Sequence, residues 1–498
     1  MVRKQRMRIA VIGAGVSGVA AAKCILDKGL DPVVFEQGTV LGGIWRYDEA
    51  LPDGGGPAYR GLRTNTSKQT TAFSDFPFPA QLPDYPPRVD MLRYLDDYAD
   101  HFGVRPLIRF RTEVVRVTPD RDGRWSVESR SAECSHTEMF DAVLVCSGVF
   151  RDPIQPLIKG AATFRGATLH SRDYTVPERF AGQTVLVVGS GSSATDAAVE
   201  ISGVAGHVYM SVRGITPSVP PKPSSAGRFK TWSERLLPKR VRARLARHAR
   251  LVWSRRFQLR RPEGPDAPFI LGTPPFVPSE KLREPLAAGA VTLKPGIAYL
   301  DGDSVVFTDG SRTRVDTIVF ATGYALSFPF LDPAIRPEAK DGLDLYRLVF
   351  PPEWPTLAFI GMFRVSGPAP PVAEMQARWA VDVVREAIRL PKPTTMHAAI
   401  ATRRALIART GSNPYRLNAE AYQDLLAAEI GALPRLWRHH SLWRAILAGP
   451  PLAAQYRLDG PNRWSGAALA VSDNQQTPSP PTLGPGEPVV AAPRTEQA

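Results

Sequence analysis

Arg8-Ile-Ala-Val-Ile12, running into Gly13-Ala14-Gly15-Val16-Ser17-Gly18, is the stretch on which the fold turns. The first five residues form a short apolar run rich in β-branched side chains and closed by glycine. That pattern predicts a strand buried on both faces in a parallel sheet. The three glycines have separate tasks: a tight turn, close approach of backbone to a pyrophosphate, and close packing of helix on strand. Apolar residues at Val19, Ala22, Ile25 and Leu26 predict the helix, and Pro32-Val-Val-Phe-Glu36, after Lys28-Gly29, predicts the next strand. A pyrophosphate there meets the free N–H groups and positive dipole end of the helix. Glu36 ends the second strand, where a carboxylate accepts hydrogen bonds from ribose hydroxyls and repels a 2′-phosphate. The first loop is therefore expected to hold FAD or NAD rather than NADP.

The same unit recurs. Thr184-Val-Leu-Val-Val188 predicts a buried strand and leads into Gly189-Ser-Gly191-Ser192-Ser193-Ala194, then a helix from about Thr195 to Ile201. Alanine at the third position satisfies the packing requirement. His207-Val-Tyr-Met-Ser211 predicts the next strand, and Arg213 lies just beyond its end. A guanidinium there can grip the 2′-phosphate of NADPH through a forked, charge-assisted contact. The contrast between Glu36 and Arg213 assigns FAD to the first loop and NADPH to the second. Ala142-Val-Leu-Val-Cys-Ser-Gly148 and Thr317-Ile-Val-Phe-Ala321-Thr322-Gly323 are further apolar runs ending in small residues, and are expected where the chain passes between domains.

The 498-residue chain has room for two or three domains, with 43% hydrophobic and 22% charged residues, the composition of an ordinary globular protein. Its three cysteines (Cys24, Cys134, Cys146) form no CxxC pair and no zinc-like spacing, which favours a reducing compartment and removes the dithiol of a disulfide reductase. No metal-ligand cluster or serine–histidine constellation is evident. No run is long enough for a membrane-spanning helix. Met1–Arg8 followed by Ile9–Ala22 superficially resembles a secretory signal, but the glycine spacing reads better as strand, turn and helix. A cytoplasmic location is expected. The net charge of +14 is concentrated: Arg235–Arg261 holds eleven Lys and Arg against no acid. That segment reads as a solvated face, or as a peripheral contact with anionic membrane through the stripe Leu237, Val241, Leu245 and Val252. No nucleic-acid motif accompanies the charge, so no nucleic-acid partner is expected.

On these residues and several more, the chain resembles the flavin-containing monooxygenase family. The family fingerprint FxGxxxHxxxY/F stands as Phe164-Arg-Gly166-Ala-Thr-Leu-His170-Ser-Arg-Asp-Tyr174. Upstream are Leu41-Gly42-Gly43-Ile44-Trp45-Arg46, Thr64-Asn65-Thr66-Ser67-Lys68 and Phe73-Ser-Asp-Phe-Pro-Phe-Pro79. Downstream are Ala321-Thr-Gly-Tyr324, Gln376-Ala-Arg-Trp379 and Gln455-Tyr-Arg-Leu-Asp-Gly-Pro461. The likeness covers roughly residues 7–470.

The resemblance implies an α/β fold of two doubly wound, Rossmann-type dinucleotide-binding domains, the FAD domain discontinuous. Residues 1–165 and 325–470 would form the FAD domain, 166–324 the NADPH domain with a basic insertion at about 218–275, and 471–498 a disordered tail. It also implies the chemistry: NADPH reduces FAD, dioxygen yields a flavin C4a-hydroperoxide, and that oxidant oxygenates a soft N or S nucleophile of a small organic substrate. Asn65 resembles the family asparagine at the flavin face, where an uncharged donor supports the oxidant. Gly43, Ile44 and Trp45 match positions against FAD. Thr64, Ser193, Ala194, Thr195 and Asp196 match positions near NADP, while Thr66, Thr322 and Gly323 lie in adjoining motifs. His170 is expected to be a structural member of the interdomain connection. Two alternatives stay open: Baeyer–Villiger insertion into a ketone, against which the absence of proline and tryptophan at the fingerprint's end argues, and a non-oxygenating, membrane-surface flavoprotein.

Overall fold

The computed structural model describes residues 6–47, 56–212, 280–337, 343–410 and 415–473. Two five-stranded parallel sheets organise them. In the first, the strands run in the order Leu357–Phe359, Ala142–Val145, Arg8–Ile12, Asp31–Phe35, Ile108–Arg109. In the second the order is Val291–Lys294, His207–Ser211, Thr184–Val188, Thr317–Phe320, Ala167–His170. Each glycine-loop strand is central in its sheet. Ile9, Ala10 and Val11 are fully buried in one and Val185, Leu186 and Val187 in the other. That two-sided burial is why these runs are continuously apolar instead of alternating.

The helices Val16–Leu26 and Ser192–Ser202 follow the two loops. The second begins three residues earlier than its apolar pattern suggests. Ser192 and Ser193 are exposed first-turn positions and so carry no hydrophobic signal.

The units share a second feature that the apolar pattern does not reveal. Each carries a three-stranded antiparallel sheet just before the strand that returns beside the glycine loop. These are Glu113–Pro119, Trp125–Arg130 and Ser135–Phe140 in the first unit, and Ile297–Asp301, Ser304–Phe307 and Arg312–Arg314 in the second.

The chain crosses between units at two segments that pair with each other, Asp152–Pro153 antiparallel to Tyr324–Ala325. The backbone N–H of Ile154 donates to Gly323 O at 2.9 Å. Past this crossing, Ile158 and Phe164 pack with the core of the second unit around Leu300, Phe307 and Phe320. The second half of the first unit supplies the edge strand Leu357–Phe359 and the fully buried helix Pro370–Val384. Basic segment 235–261, Arg213 and tail residues 474–498 lie outside the described residues, and the expected disordered tail starts too early at 471, because Val471 is buried in the helix Ala467–Ser472.

Candidate functional site

At the first loop, Gly13 has φ +102°, and a Cβ there would stand 2.7 Å from Cys146 O. Only glycine fits the left-handed turn against the returning strand. At the second loop Gly189 repeats the arrangement with φ +140° and Ala321 O 2.5 Å from its would-be Cβ. The small residues after Ala142–Val145 and Thr317–Phe320 thus let each loop press against the neighbouring strand. Gly15, Val16 and Ser17 stay half-exposed at the helix start, whereas Ala14 and Gly18 are buried beneath it.

Glu36 is 7% exposed and closes the mouth of the first loop. Its carboxylate accepts Ala14 N–H at 2.8 Å and Gly38 N–H at 2.7 Å. These bonds fix the carboxylate at the strand end and leave lone pairs for a ribose. Gly43–Trp45 forms a single 3-10 turn directly opposite: a Cβ added to Gly43 would sit 3.0 Å from Gly15 Cα. Ile44 and Trp45 are half-buried on that turn. Loop, carboxylate and facing turn make a narrow cradle of backbone N–H groups and one acid, which fits an adenine dinucleotide carrying unsubstituted ribose hydroxyls.

Thr64, Asn65 and Thr66 are held from both sides. Thr64 N–H donates to Pro86 O at 2.9 Å. The Thr66 and Thr71 hydroxyls lie 2.7 Å apart, and Thr71 Oγ1 donates to Ser67 O at 2.8 Å. Asn65 between them is exposed, and its side-chain amide has no hydrogen-bond partner among the described residues. Thr64 Oγ1 is buried with no hydrogen-bond partner among the described residues.

The second loop's helix is held by Tyr59 of the first unit and by side chains of its own unit. Tyr59 Oη donates to Asp196 Oδ2 at 2.7 Å, and Tyr174 Oη donates to Glu200 Oε2 at 2.6 Å. Lys281 Nζ takes the other Asp196 oxygen at 2.6 Å. Asp196 therefore belongs to the seam between units, with Tyr59 contributing to the second unit's core. Burial raises the Glu200 carboxyl above its ordinary range. Gly191 and Ser193 are exposed at the helix start, Ala194 and Thr195 buried behind it.

His170 is fully buried at the end of its strand. Its Nε2 lies 3.1 Å from Gly323 O, and Nδ1 accepts the Arg172 backbone N–H at 3.1 Å. That pairing assigns the neutral Nε2–H tautomer, and burial holds the imidazole below its usual pKa. The ring meets Tyr324 edge-on at 5.0 Å. The histidine ties the fingerprint strand to the second crossing and leaves no ring nitrogen for proton transfer. Thr322 Oγ1 bonds Ile154 O at the same crossing. Burial pushes the Cys24 thiol up to about 12 and raises Cys146 as well, so both are inert core groups.

Sequence reasoning missed the buried charges behind the first loop. Lys23, Asp75, Glu374 and Arg457 come together from four separate segments. The motifs containing Asp75 and Arg457 are visible one by one, and Glu374 stands just before Gln376-Ala-Arg-Trp379, but nothing in a linear sequence pairs residues some 300 positions apart.

The family model for flavin-binding monooxygenase-like proteins matches residues 6–479. The N-oxide-forming dimethylaniline monooxygenase 2 of Mus musculus is 36% identical over 502 residues, covering 94% of this chain and 92% of its own length. Flavin-containing monooxygenase 1 of Homo sapiens is 34% identical over 501 residues, covering 93% and 91%. Among solved structures, the S-allyl-L-cysteine S-oxygenase of Allium sativum superposes with a TM-score of 0.67 at 26% identity, over 87% of this chain and 90% of that one.

Proposed function

The chain belongs to the flavin-binding monooxygenase-like family, whose members use FAD and NADPH, and we propose that it oxygenates a soft nitrogen or sulfur atom of a small organic substrate. FAD goes to the first glycine loop and NADPH to the second. On this division the FAD unit comprises residues up to the Asp152–Pro153 crossing together with those after Tyr324–Ala325, and the NADPH unit lies between. Gly13–Gly18 would hold the FAD pyrophosphate, Glu36 its ribose, and Gly43–Trp45 would cover it. Gly189–Ala194 would hold the NADPH pyrophosphate and Arg213 its 2′-phosphate.

When bound, the flavin supplies the redox chemistry, taking hydride from NADPH and activating dioxygen for transfer of one oxygen atom. The protein's own task is to orient the two nucleotides and to control hydrogen bonding where oxygen reacts. Asn65 carries the reading. It offers an unpartnered, uncharged donor between two pinned threonines, suited to stabilising developing charge without itself supplying a proton. The buried thiols of Cys24 and Cys146 and the saturated His170 are themselves neither nucleophile nor general base, which agrees with a site whose chemistry rests on the cofactor.

Product analysis tests the reaction. The purified protein should consume NADPH and O2 with a tertiary amine or thioether and yield the N-oxide or sulfoxide. Turnover of cyclic ketones to lactones alone would replace this reading with oxygen insertion. Asn65→Ala should keep FAD bound yet divert reducing equivalents to hydrogen peroxide, and unchanged coupling would remove Asn65 from the reacting centre. Peripheral membrane contact, if made, belongs to Arg235–Arg261 on charge alone, and sedimentation with anionic vesicles checks it. Among the described residues no helix is long and apolar enough to cross a membrane.

A further inference from the structure

A buried cluster of charge lies behind the first glycine loop, on the side away from solvent. Arg457 is 2% exposed, Glu374 1%, Lys23 3% and Ser74 2%. All three guanidinium nitrogens are engaged: Nε donates to Ser74 Oγ at 2.6 Å, Nη1 to Asn462 O at 3.0 Å and Nη2 to Glu374 Oε1 at 2.8 Å, and Nη2 ion-pairs with Asp75 Oδ2 at 2.8 Å. Glu374 in turn accepts the Ser74 backbone N–H at 2.7 Å and the Ser74 hydroxyl. Asp75 pairs with Lys23 Nζ, which also donates to Asp27 Oδ2 at 2.7 Å.

Four parts of the chain meet there. Lys23 is on the helix that follows the first glycine loop, Glu374 on the buried helix Pro370–Val384, and Arg457 in the turn Ala453–Arg457. Ser74 and Asp75 end the segment that begins at Asn65. The short helix Lys68–Thr71 links them, and the Thr66–Thr71 hydroxyl contact ties the last residue of that helix back to Thr66, next to Asn65. Phe73 N–H also donates to Tyr94 Oη at 2.8 Å, so the far end is fixed in two directions.

An apolar plug would fill this space at less desolvation cost, because buried pairs gain little net stability. What a forked guanidinium adds is geometry. It fixes several partners at set angles, and loss of one leaves the others buried and unpaired.

We infer that Arg457 and Glu374 are positioning residues which clamp Ser74–Asp75 to the glycine-loop helix, and so set Asn65 against the flavin that this helix carries. The inference rests on the reading of Asn65 given above. It makes no claim that either residue touches flavin, oxygen or substrate.

The test compares Ser74→Ala, Arg457→Lys and Asn65→Ala, singly and with Ser74→Ala combined with Asn65→Ala, in FAD-loaded enzyme. Ser74→Ala removes only the hydroxyl hub, so it keeps the proposal testable if Arg457→Lys fails to fold. The readout is hydrogen peroxide released per NADPH consumed at saturating thioether, alongside FAD content and KM for NADPH. The peroxide share should rise about two- to tenfold in Ser74→Ala and Arg457→Lys, as expected for a positioned group displaced by a fraction of an ångström. FAD content and KM should stay near wild type, and Ser74→Ala should add nothing to Asn65→Ala. Uncoupling in Asn65→Ala with wild-type coupling in Ser74→Ala and Arg457→Lys would overturn the clamp alone. Wild-type coupling in Asn65→Ala would overturn the reading of Asn65 and the clamp with it. Additive uncoupling in the double variant would also overturn the clamp, since the cluster would then act by another route.

Discussion

Glu36 and Arg213 differ in what each asks of its ligand. The Glu36 carboxylate is already oriented by Ala14 and Gly38 N–H groups, so on the proposed assignment it would meet a ribose without reorganising. Glu36→Ala should remove both that anchor and the ribose contact, costing about 1.5–3 kcal/mol of FAD affinity, the scale of hydrogen bonds to a charged group. Fluorescence titration of apoprotein with FAD measures the loss. NADPH affinity in the reconstituted enzyme should barely change; a loss confined to NADPH would reverse the assignment of the two loops. Arg213→Ala should do the opposite, weakening NADPH by about 1.5–3 kcal/mol while leaving NADH use nearly unchanged. Equal losses for both nicotinamide cofactors would show that Arg213 does not reach the 2′-phosphate.

The glycine-loop elements were legible because their constraints are local. A continuous apolar run buried on two faces, a turn with positive φ and a helix start fall within about twenty residues, and the strands Arg8–Ile12, Thr184–Val188 and His207–Ser211 stand where the sequence puts them. Gly13→Ala should cost about 1–3 kcal/mol through backbone strain alone. Displacement of Cys146 O adds to that cost, since the new Cβ would sit 2.7 Å from it. A lowered melting temperature with loss of bound flavin is the expected outcome, and an unaltered holoenzyme would count against the cradle. The antiparallel sheets were not legible for an equally physical reason. Val114, Val117, Trp125, Val127 and Phe140 face the core, but Arg116, Glu128, Arg130 and the exposed start of the strand Ser135–Phe140 break the apolar signal with polar and charged side chains. The Arg457 cluster was hidden more deeply, because its hydrogen bonds join positions such as 74 and 457 whose pairing exists only in three dimensions.

At the scale of the whole molecule, the chain passes between two similar units at a paired crossing, and a buried histidine of the second unit braces that crossing. His170 binds Gly323 O from the fingerprint strand and holds the crossing where Asp152–Pro153 meets Tyr324–Ala325. Burial lowers its folded-state pKa below the ordinary value of 6.5. In that case the unfolded chain takes up a proton at higher pH than the folded one. Stability from this group is therefore fully present above about pH 6.5 and declines as pH falls toward the folded pKa, by at most about 1.4 kcal/mol per pH unit. Glu200 and Asp75 oppose this over their own range. Burial raises both carboxyls, so each contributes stability at low pH that is lost as pH rises through its folded pKa. The net acid limb of the wild type cannot isolate the histidine, but a difference can. His170→Asn should have a lower melting temperature at pH 7.5, because a buried tie is lost, and a shallower decline between pH 6.5 and 5. The gap between wild type and variant should therefore narrow as pH falls. Calorimetry across that range checks it. A constant gap would mean that His170 titrates alike in folded and unfolded chains, and that the crossing is held by its strand pairing rather than by a neutral imidazole.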